Sequence, residues 1–318
     1  METKRYADYK LSRLMLGTVQ FGLPYGVANL AGQPGYDDVL AIVSAAIEGG
    51  VNCFDTAPSY GRSEEVLGRA LHELGVVDRV VVVTKVKALT PDELADPRLA
   101  GVAIEQSVAE SRRRLRVECL PIVLFHHETD AVHLDALERL KEKGWLRHVG
   151  VSCNNRPGPA AGFAALPVVR ALQIPANILD RRHLQGGSLA AAAAHGVAVF
   201  VRSVYLQGLL LMPERAIPEP LRPIVPIRRR LAELAEAAGM TLAELALRYM
   251  LAQDGVTSVL TGVETVEQMR ENVALFNRGP LSGDVREAVE AIVPDLPEAI
   301  MTPGLWSAPA TEKDIGNR

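Results

Sequence analysis

The length, composition and charge of the chain exclude several classes of protein. Its 318 residues are 48% hydrophobic and 23% charged, with a formal net charge of −4, as is typical of a globular protein with an ample core. Such mild acidity argues against a surface for nucleic acid or anionic membranes. The polar residues 1–10, the lack of a long apolar run and the three cysteines without metal-ligand spacing (Cys53, Cys119 and Cys153) predict a cytoplasmic protein with no membrane span and no metal.

Apolar runs bounded by Gly or Pro alternate with stretches of helical period along the whole chain. Strands are predicted at residues 14–17, 51–54, 80–84, 122–125, 148–152, 168–174, 197–201 and 257–260. Helices are predicted at residues 36–48, 64–74, 100–116, 132–143, 157–166, 187–195, 227–238 with 242–252, and 266–275. Continuous Val, Ile and Leu in the strands indicate burial on both faces, as in a parallel sheet covered by helices. This pattern predicts one (β/α)8 TIM barrel domain over residues 1–318, with an open doubly wound sheet as the alternative.

Three segments interrupt this alternation. Residues 22–35 are rich in Gly and Pro, which predicts a loop on the active face of the barrel. Residues 203–226 contain five prolines and are long for a connection, which favours a loop that covers a substrate. The tail at residues 303–318 is either a flexible end or a rim over the site.

Four ionisable side chains follow the ends of three predicted strands: Asp55, Tyr60, Lys85 and His126. Active sites of parallel-strand enzymes gather at the carboxyl ends of the strands. A tyrosine donates a proton poorly at neutral pH, but a nearby cation favours its phenolate, and a carboxylate holds that cation in place. His126 would either orient a substrate carbonyl or relay a proton. Beside a hydride donor, these groups would reduce an aldehyde or ketone to an alcohol.

Each of these residues also has a structural interpretation when taken alone. Asp55 is about as suited to capping the following turn as to catalysis. Lys85 at a strand end would be a solvated charge, and Tyr60 a rim aromatic. His126 is followed by His127, and because neighbouring residues on a strand face opposite ways, we expect one of the two to be structural. The joint pattern is far more specific than any one member.

The whole set resembles the aldo-keto reductase superfamily. The resemblance rests on the Asp-Thr-Ala-x-x-Tyr-Gly run at residues 55–61, Lys85, and Leu-Phe-His at residues 124–126. It extends to residues 14–18, residues 143–152, Gln173, residues 208–210 and residues 262–272, and so covers nearly the whole chain. The Arg-Ser-x-x-Leu-Gln-Gly run at residues 202–208 is similar to that of a bacterial subgroup of this family.

The resemblance implies a barrel that binds NADP(H), with NAD(H) a close alternative. Tyr60 would be the general acid, tuned by Lys85 and Asp55, while His126 would orient the carbonyl. The implied cofactor-binding residues are Gly17, Thr18, Ser152, Cys153, Gln173, Arg202, Ser203, Leu206, Gly208, Gly262, Val263, Glu264, Gln268, Glu271 and Asn272. The implied activity is NAD(P)H-dependent reduction of a small carbonyl compound or sugar. The alternatives are an aldose dehydrogenase and a nicotinamide-binding regulatory barrel without turnover. Monomer and homo-oligomer are equally compatible with the sequence.

Three departures from the family pattern bear on the cofactor. Cys153 replaces the asparagine that follows the fifth-strand serine, and Asn154 is the one neighbour that could substitute for it. Arg202 replaces an aromatic that stacks on the nicotinamide, and a guanidinium can stack in the same way. Glu264 and Glu267 with a single Arg270 form a poor site for the adenosine 2′-phosphate, and Glu264 could instead accept a hydrogen bond from a free ribose hydroxyl.

Overall fold

The computed structural model describes residues 1–26 and 32–306, in which a short hairpin precedes a closed barrel. The hairpin strands are β1 (Thr3–Tyr6) and β2 (Tyr9–Ser12). The barrel strands are β3 (Leu14–Gly17), β4 (Cys53–Asp55), β5 (Val81–Val86), β6 (Leu120–Phe125), β7 (Leu146–Ser152), β8 (Val169–Pro175), β9 (Ala198–Arg202) and β10 (Ser258–Gly262). They are parallel and follow chain order around the barrel, and β10 closes it against β3. Their carboxyl ends therefore form one rim.

Helices surround the barrel and return the chain from the carboxyl end of each strand to the amino end of the next. They are α1 (Tyr36–Glu48), α2 (Ser63–Glu73), α3 (Pro91–Ala95), α4 (Pro97–Leu115), α5 (Leu134–Glu142), α6 (Pro157–Ala164), α7 (Arg182–Gln185), α8 (Ser188–Ala194), α9 (Val225–Ala237), α10 (Leu242–Leu251), α11 (Val266–Asn277), α12 (Gly283–Ile292) and α13 (Glu298–Met301). Within the described residues, none of these helices combines the length and the apolar character that a membrane crossing requires.

Two hydrophobic clusters divide the core, as strand alternation requires. The inner cluster fills the barrel with side chains such as Met15, Ile122 and Phe200, and it also contains Tyr6 and Leu11 from the hairpin. The hairpin therefore closes the amino-terminal end of the barrel. The larger outer cluster joins the other faces of the strands to the helices. With both faces covered, the strands are rigid supports for side chains at the opposite rim.

The predicted barrel and its eight strands are confirmed, with boundaries that shift by a few residues. The hairpin was not predicted because its sequences, TKRY and YKLS, carry too few apolar residues to stand out. The predicted loop at residues 203–226 contains three 3-10 turns, at Leu206–Gly208, Glu214–Ala216 and Glu219–Ile224. Residues 27–31 of the predicted active-face loop and residues 307–318 of the tail lie outside the described residues.

Candidate active site

Asp55, Lys85 and Tyr60 meet at the carboxyl rim of the barrel. Asp55 is the last residue of β4, and Lys85 lies near the end of the neighbouring strand β5. The Lys85 Nζ atom donates hydrogen bonds to Asp55 Oδ1 at 2.7 Å and to the Thr56 carbonyl at 3.0 Å, and it lies 3.4 Å from Tyr60 Oη. The side chains of Lys85 and Asp55 are 0% and 3% exposed. A buried ion pair therefore contacts the tyrosine hydroxyl, as the sequence predicted.

His126 completes this group from the next strand around the barrel. It follows the end of β6, and its ring meets that of Tyr60 edge-on, with centroids 5.9 Å apart. Its Nδ1 atom lies 3.2 Å from the Ser59 hydroxyl. His127 stacks on His126 with a centroid distance of 5.1 Å, and both rings line the same cleft. Strand alternation does not separate the two histidines because both come after the strand has ended.

The protonation states of these groups follow from burial and from Lys85. Burial raises the pKa of Tyr60, and the opposing effect of Lys85 is smaller. Burial alone would lower the pKa of Lys85, but Asp55 and Tyr60 together raise it, so the ammonium stays charged. Burial, with the charges of Lys85 and Arg202 nearby, lowers the pKa of His126 to about 3. At neutral pH the site therefore contains a neutral phenol, an ammonium and a neutral imidazole.

Gln173 connects Ser152 to the ion pair. Its Nε2 atom donates to Asp55 Oδ1 at 2.7 Å, and Ser152 donates to its Oε1 at 3.4 Å. No pattern in the sequence indicates this contact between Gln173 and Asp55, which lie 118 positions apart. Asn154 does not take the place of the missing asparagine, because its backbone N–H and its side-chain amide both donate to the Glu128 carboxylate. The thiol of Cys153 is buried, which raises its pKa to about 12.

Three hydroxyl groups fix the loops that carry these residues. The Ser63 hydroxyl donates to the Thr18 carbonyl at 2.7 Å, and its oxygen also lies 2.7 Å from Thr18 Oγ1 and 3.0 Å from Thr56 Oγ1. Thr18 in turn donates to the Asp55 carbonyl. All of these groups are buried. The loops after β3 and β4 are thus tied together on either side of Tyr60.

We refer to Asp55, Tyr60, Lys85 and His126 as the candidate catalytic group. A cleft of about 670 Å³ extends from this group across the rim to the start of α11. Tyr60, His126 and Asp55 form one end of the cleft, and Glu271 and Asn272 line the other. The remaining predicted cofactor residues that line it are Gly17, Thr18, Ser152, Gln173, Arg202, Ser203, Gly208, Gly262, Glu264 and Gln268. Cys153, Leu206 and Val263 are buried behind the lining. The volume is in the range of small-molecule and cofactor sites.

Sequence reasoning missed Gln20, which bridges the two sides of this cleft. It lies in a 3-10 turn after β3, and its Nε2 atom donates to Glu264 Oε1 at 3.4 Å. A Cβ on Gly262 would stand only 2.4 Å from the Gln20 amide, so this glycine leaves room for the glutamine. Among the described residues, the buried Gln20 Oε1 atom finds no hydrogen-bond partner. The signal that could have identified Gln20 is its position two residues after Thr18, which was a predicted cofactor-binding residue.

These observations fit a nicotinamide dinucleotide. Buried polar atoms are nearly always hydrogen-bonded, so the Gln20 carbonyl is an acceptor available to a ligand, since residues 1–26 and 32–306 offer it no donor. Gly17 and Gly262 keep backbone close to the cleft, since a Cβ on either would collide with Leu260 or Gln20. Ser152 presents a hydroxyl, and Gln173 an amide, beside Tyr60 and Asp55. When bound, such a cofactor supplies or accepts a hydride.

The fold and the site together define a closed parallel barrel in which a tyrosine hydroxyl contacts a buried Lys–Asp pair at the carboxyl rim. The chain belongs to the Aldo/keto reductase family, whose characteristic sequence matches residues 13–294. Members of this family bind nicotinamide cofactors.

Individual proteins of known sequence or structure agree with this membership. The uncharacterized oxidoreductase YqkF of Bacillus subtilis is 27% identical over 306 residues, which are 90% of this chain and 94% of the relative. The NADH-specific methylglyoxal reductase of Escherichia coli is 28% identical over 322 residues, covering 90% and 97% of the two chains. The holo form of aldo-keto reductase AKR11C1 from Bacillus halodurans superimposes with a TM-score of 0.77 at 25% identity, covering 95% of this chain and all of the other.

Proposed function

We propose that this protein interconverts an aldehyde or ketone and the corresponding alcohol, with a nicotinamide cofactor as the hydride carrier. The observation that carries the proposal is the contact of Tyr60 Oη with Lys85 Nζ, whose charge Asp55 holds from the other side. All four residues of the group are present and line or support one end of the cleft. A complete catalytic group favours an enzyme over a barrel that only binds cofactor.

Each side chain has a distinct task in this reaction. The Tyr60 hydroxyl gives its proton to the carbonyl oxygen as that oxygen gains negative charge. The resulting phenolate is stabilised by the Lys85 ammonium at 3.4 Å. His126 is neutral, so it can donate a hydrogen bond to the carbonyl without adding a second charge. In the reverse direction the Tyr60 phenolate accepts the proton of the alcohol.

The far end of the cleft favours NAD(H) over the NADP(H) that family frequency places first. Glu264 and Glu271 line this end, and Arg270 is not among the residues that do. Within residues 1–26 and 32–306, the one arginine or lysine that lines the cleft is Arg202, at the end of β9. Two carboxylates without a cation would repel a 2′-phosphate, but they would accept hydrogen bonds from a ribose hydroxyl. The E. coli relative is likewise named as NADH-specific.

The part of the cleft beside Tyr60 and His126, here called the catalytic mouth, favours a small polar carbonyl compound or a sugar as substrate. Its lining includes Tyr25, His127, Asn154, Gln207 and Leu211. The Gln207 amide donates to the Tyr25 hydroxyl at 3.3 Å, so the loops after β9 and β3 meet across the mouth. Aromatic and amide groups of this kind suit a hydroxylated substrate. The relative named for methylglyoxal also acts on a small carbonyl compound.

The decisive test compares the wild-type protein with Tyr60→Phe. We expect the wild type to oxidise NADH in the presence of methylglyoxal, simple aldehydes or aldoses, or to reduce NAD⁺ with the corresponding alcohols. Tyr60→Phe should lose this turnover by at least about a thousandfold, in keeping with the loss of a general acid. It should still bind the cofactor, as measured by NADH fluorescence. Normal turnover in Tyr60→Phe would refute the assignment of the acid.

A second variant tests the choice of cofactor. Glu264→Lys replaces an acceptor at the far end with a cation that would attract the 2′-phosphate. We expect kcat/KM for NADPH, divided by kcat/KM for NADH, to rise about tenfold or more. The variant loses a charge that repels the 2′-phosphate and gains one that attracts it. Glu267→Lys, three residues further on and in the first turn of α11, is the matched control, because Glu267 does not line the cleft. Equal ratios in the two variants would exclude Glu264 from cofactor selection.

A further inference from the structure

Arg202 is a cation without a carboxylate partner at the catalytic end of the cleft. It is the last residue of β9, and its guanidinium lines the cleft. Its Nη2 atom donates to the Cys153 carbonyl at 3.2 Å, and its Nη1 atom to the Ser203 hydroxyl at 3.4 Å. These neutral partners hold the guanidinium in place, but neither balances its charge. Within the described part of the chain, Arg202 forms no ion pair.

The other charges of the cleft do not offset this cation. Lys85 and Asp55 neutralise each other at 2.7 Å. The glutamates that line the cleft, Glu264 and Glu271, belong to the segment after β10 and to α11, and within the described residues neither forms an ion pair with Arg202. The charge of Arg202 is therefore not neutralised by a carboxylate of the cleft. The charge of Arg202 reaches the catalytic group, since it contributes to lowering the pKa of His126.

A nicotinamide ring must lie in this part of the cleft if the proposed function is correct. Hydride and proton are delivered to the two atoms of a single carbonyl, so the reacting ring has to lie beside the Tyr60 hydroxyl. The residues that border this region are Ser152, Gln173 and Arg202. The ring carries a positive charge when oxidised and none when reduced. An unbalanced guanidinium close to it therefore acts on the two redox states differently.

We propose that Arg202 makes the protein bind the reduced nicotinamide more tightly than the oxidised one, so that the bound reactants favour oxidation of the alcohol. This inference rests on the proposed function. In the favoured direction the alcohol carbon would give a hydride, with two electrons, to the oxidised nicotinamide. The hydroxyl proton would pass to Tyr60 in its phenolate form, the phenol having first released its own proton to solvent. The carbonyl product and the neutral reduced ring result. The equilibrium between free reactants in solution is unchanged, because an enzyme cannot alter it.

An aromatic residue at position 202 would not favour binding of the reduced nicotinamide. An aromatic ring attracts a cation over its face, whereas a guanidinium repels one. The family aromatic that Arg202 replaces would thus favour the oxidised ring, and the arginine reverses this preference while keeping a flat surface for stacking. The substitution therefore changes the charge beside the cofactor more than the shape of its site.

The test measures dissociation constants of NADH and NAD⁺ for the wild type, Arg202→Met and Arg202→Lys. NADH binding is followed by its fluorescence, and NAD⁺ by competition against NADH. We expect the ratio Kd(NAD⁺)/Kd(NADH) to fall about tenfold in Arg202→Met. The reason is that the variant loses a partly screened charge that repels the oxidised ring but not the reduced one. Arg202→Lys keeps the charge on a different shape and should stay within about threefold of the wild-type ratio. Arg202→Gln repeats the loss of charge should Arg202→Met unfold.

Two results would overturn the inference. One is an unchanged ratio in both Arg202→Met and Arg202→Gln. The other is a fall of the same size in Arg202→Lys, which would assign the effect to the shape of the side chain. If these variants retain Tyr60-dependent turnover, the proposed function survives and only the role of Arg202 is lost. A wild type that binds neither nucleotide would refute the proposed function together with this inference.

Discussion

The buried pair of Asp55 and Lys85 leads to a quantitative prediction about stability. Replacing Asp55 with Asn removes the carboxylate that accepts from Lys85 Nζ at 2.7 Å, while the ammonium stays 0% exposed. Removal of one partner of a buried pair costs about 3–5 kcal/mol, because the other charge is left without compensation. Lys85 keeps two acceptors, the Thr56 carbonyl at 3.0 Å and the Tyr60 hydroxyl at 3.4 Å. We therefore expect a loss near the lower limit, about 3 kcal/mol at neutral pH.

The pH dependence of this loss has a definite sign. In the wild type, Asp55 and Tyr60 raise the pKa of Lys85, so the pair stabilises the fold below the unfolded lysine pKa and ceases to do so only at higher pH. In Asp55→Asn, burial acts without the carboxylate and lowers the pKa of Lys85 below its unfolded value. The unfolded chain then binds more protons over the interval between the two values, so the stability of the variant rises with pH. The destabilisation should therefore shrink as the pH rises toward the unfolded lysine pKa of about 10.4.

A double-mutant cycle separates the pair from its surroundings. Lys85→Met removes the cation but leaves Asp55 bound to the Gln173 amide at 2.7 Å. The double variant Asp55→Asn/Lys85→Met has neither charge, so its loss of stability should be no larger than that of one single variant. Free energies of unfolding come from urea titrations followed by far-UV circular dichroism. Additive losses, or a loss in Asp55→Asn that does not change with pH, would refute the reasoning.

Two further predictions concern the cleft and its titration. Gly262→Ala should weaken NADH binding about tenfold, because the added Cβ would stand 2.4 Å from the Gln20 amide. Gly283→Ala, where no atom lies within 4 Å of the added Cβ, is the control, and equal binding in the two variants would contradict this account. Since the pKa of His126 is lowered to about 3 and that of Tyr60 is raised, carbonyl reduction should show no ionisation of either group between about pH 5 and 9. A loss of activity near pH 6.5 that disappears in His126→Gln would show that the imidazole titrates.

The barrel strands and the meeting of Asp55, Lys85 and Tyr60 at one rim were predictable because they depend on short-range patterns. Buried parallel strands such as VVVTKV in β5 are apolar throughout, and each catalytic side chain follows or ends such a run. The family motif at residues 55–61 then places Tyr60 relative to Asp55. Their meeting follows from the parallel register, in which carboxyl ends form one rim.

The parts that sequence did not predict depend on contacts between distant segments. Gln173 binds Asp55 across the barrel, and Gln20 approaches Gly262 from the opposite side of the cleft. The resemblance marks Gln173 as a cofactor residue, but neither periodicity nor a local motif indicates its contact with Asp55 or the approach of Gln20 to Gly262. The hairpin was missed for the same reason. Its strands are mostly polar, and it closes the barrel through Tyr6 and Leu11, the two buried residues that pack inside. Pairings of this kind are decided by the closed barrel, not by the local sequence.

The division of charge along the cleft connects the departures from the family pattern. At the far end, Glu264 belongs to a segment that is a poor site for a 2′-phosphate, and beside the catalytic group Arg202 stands in place of an aromatic. Both departures alter the charge of the cleft, and with it the form of the dinucleotide that we expect to bind best. Under the proposed function, Glu264 selects between NAD(H) and NADP(H), and Arg202 selects between the oxidised and reduced rings. The two selections concern groups at opposite ends of the same ligand, so the effects of Glu264→Lys and Arg202→Met on NADH binding should add in free energy. A departure from additivity larger than about 0.5 kcal/mol would mean that the two ends do not act independently.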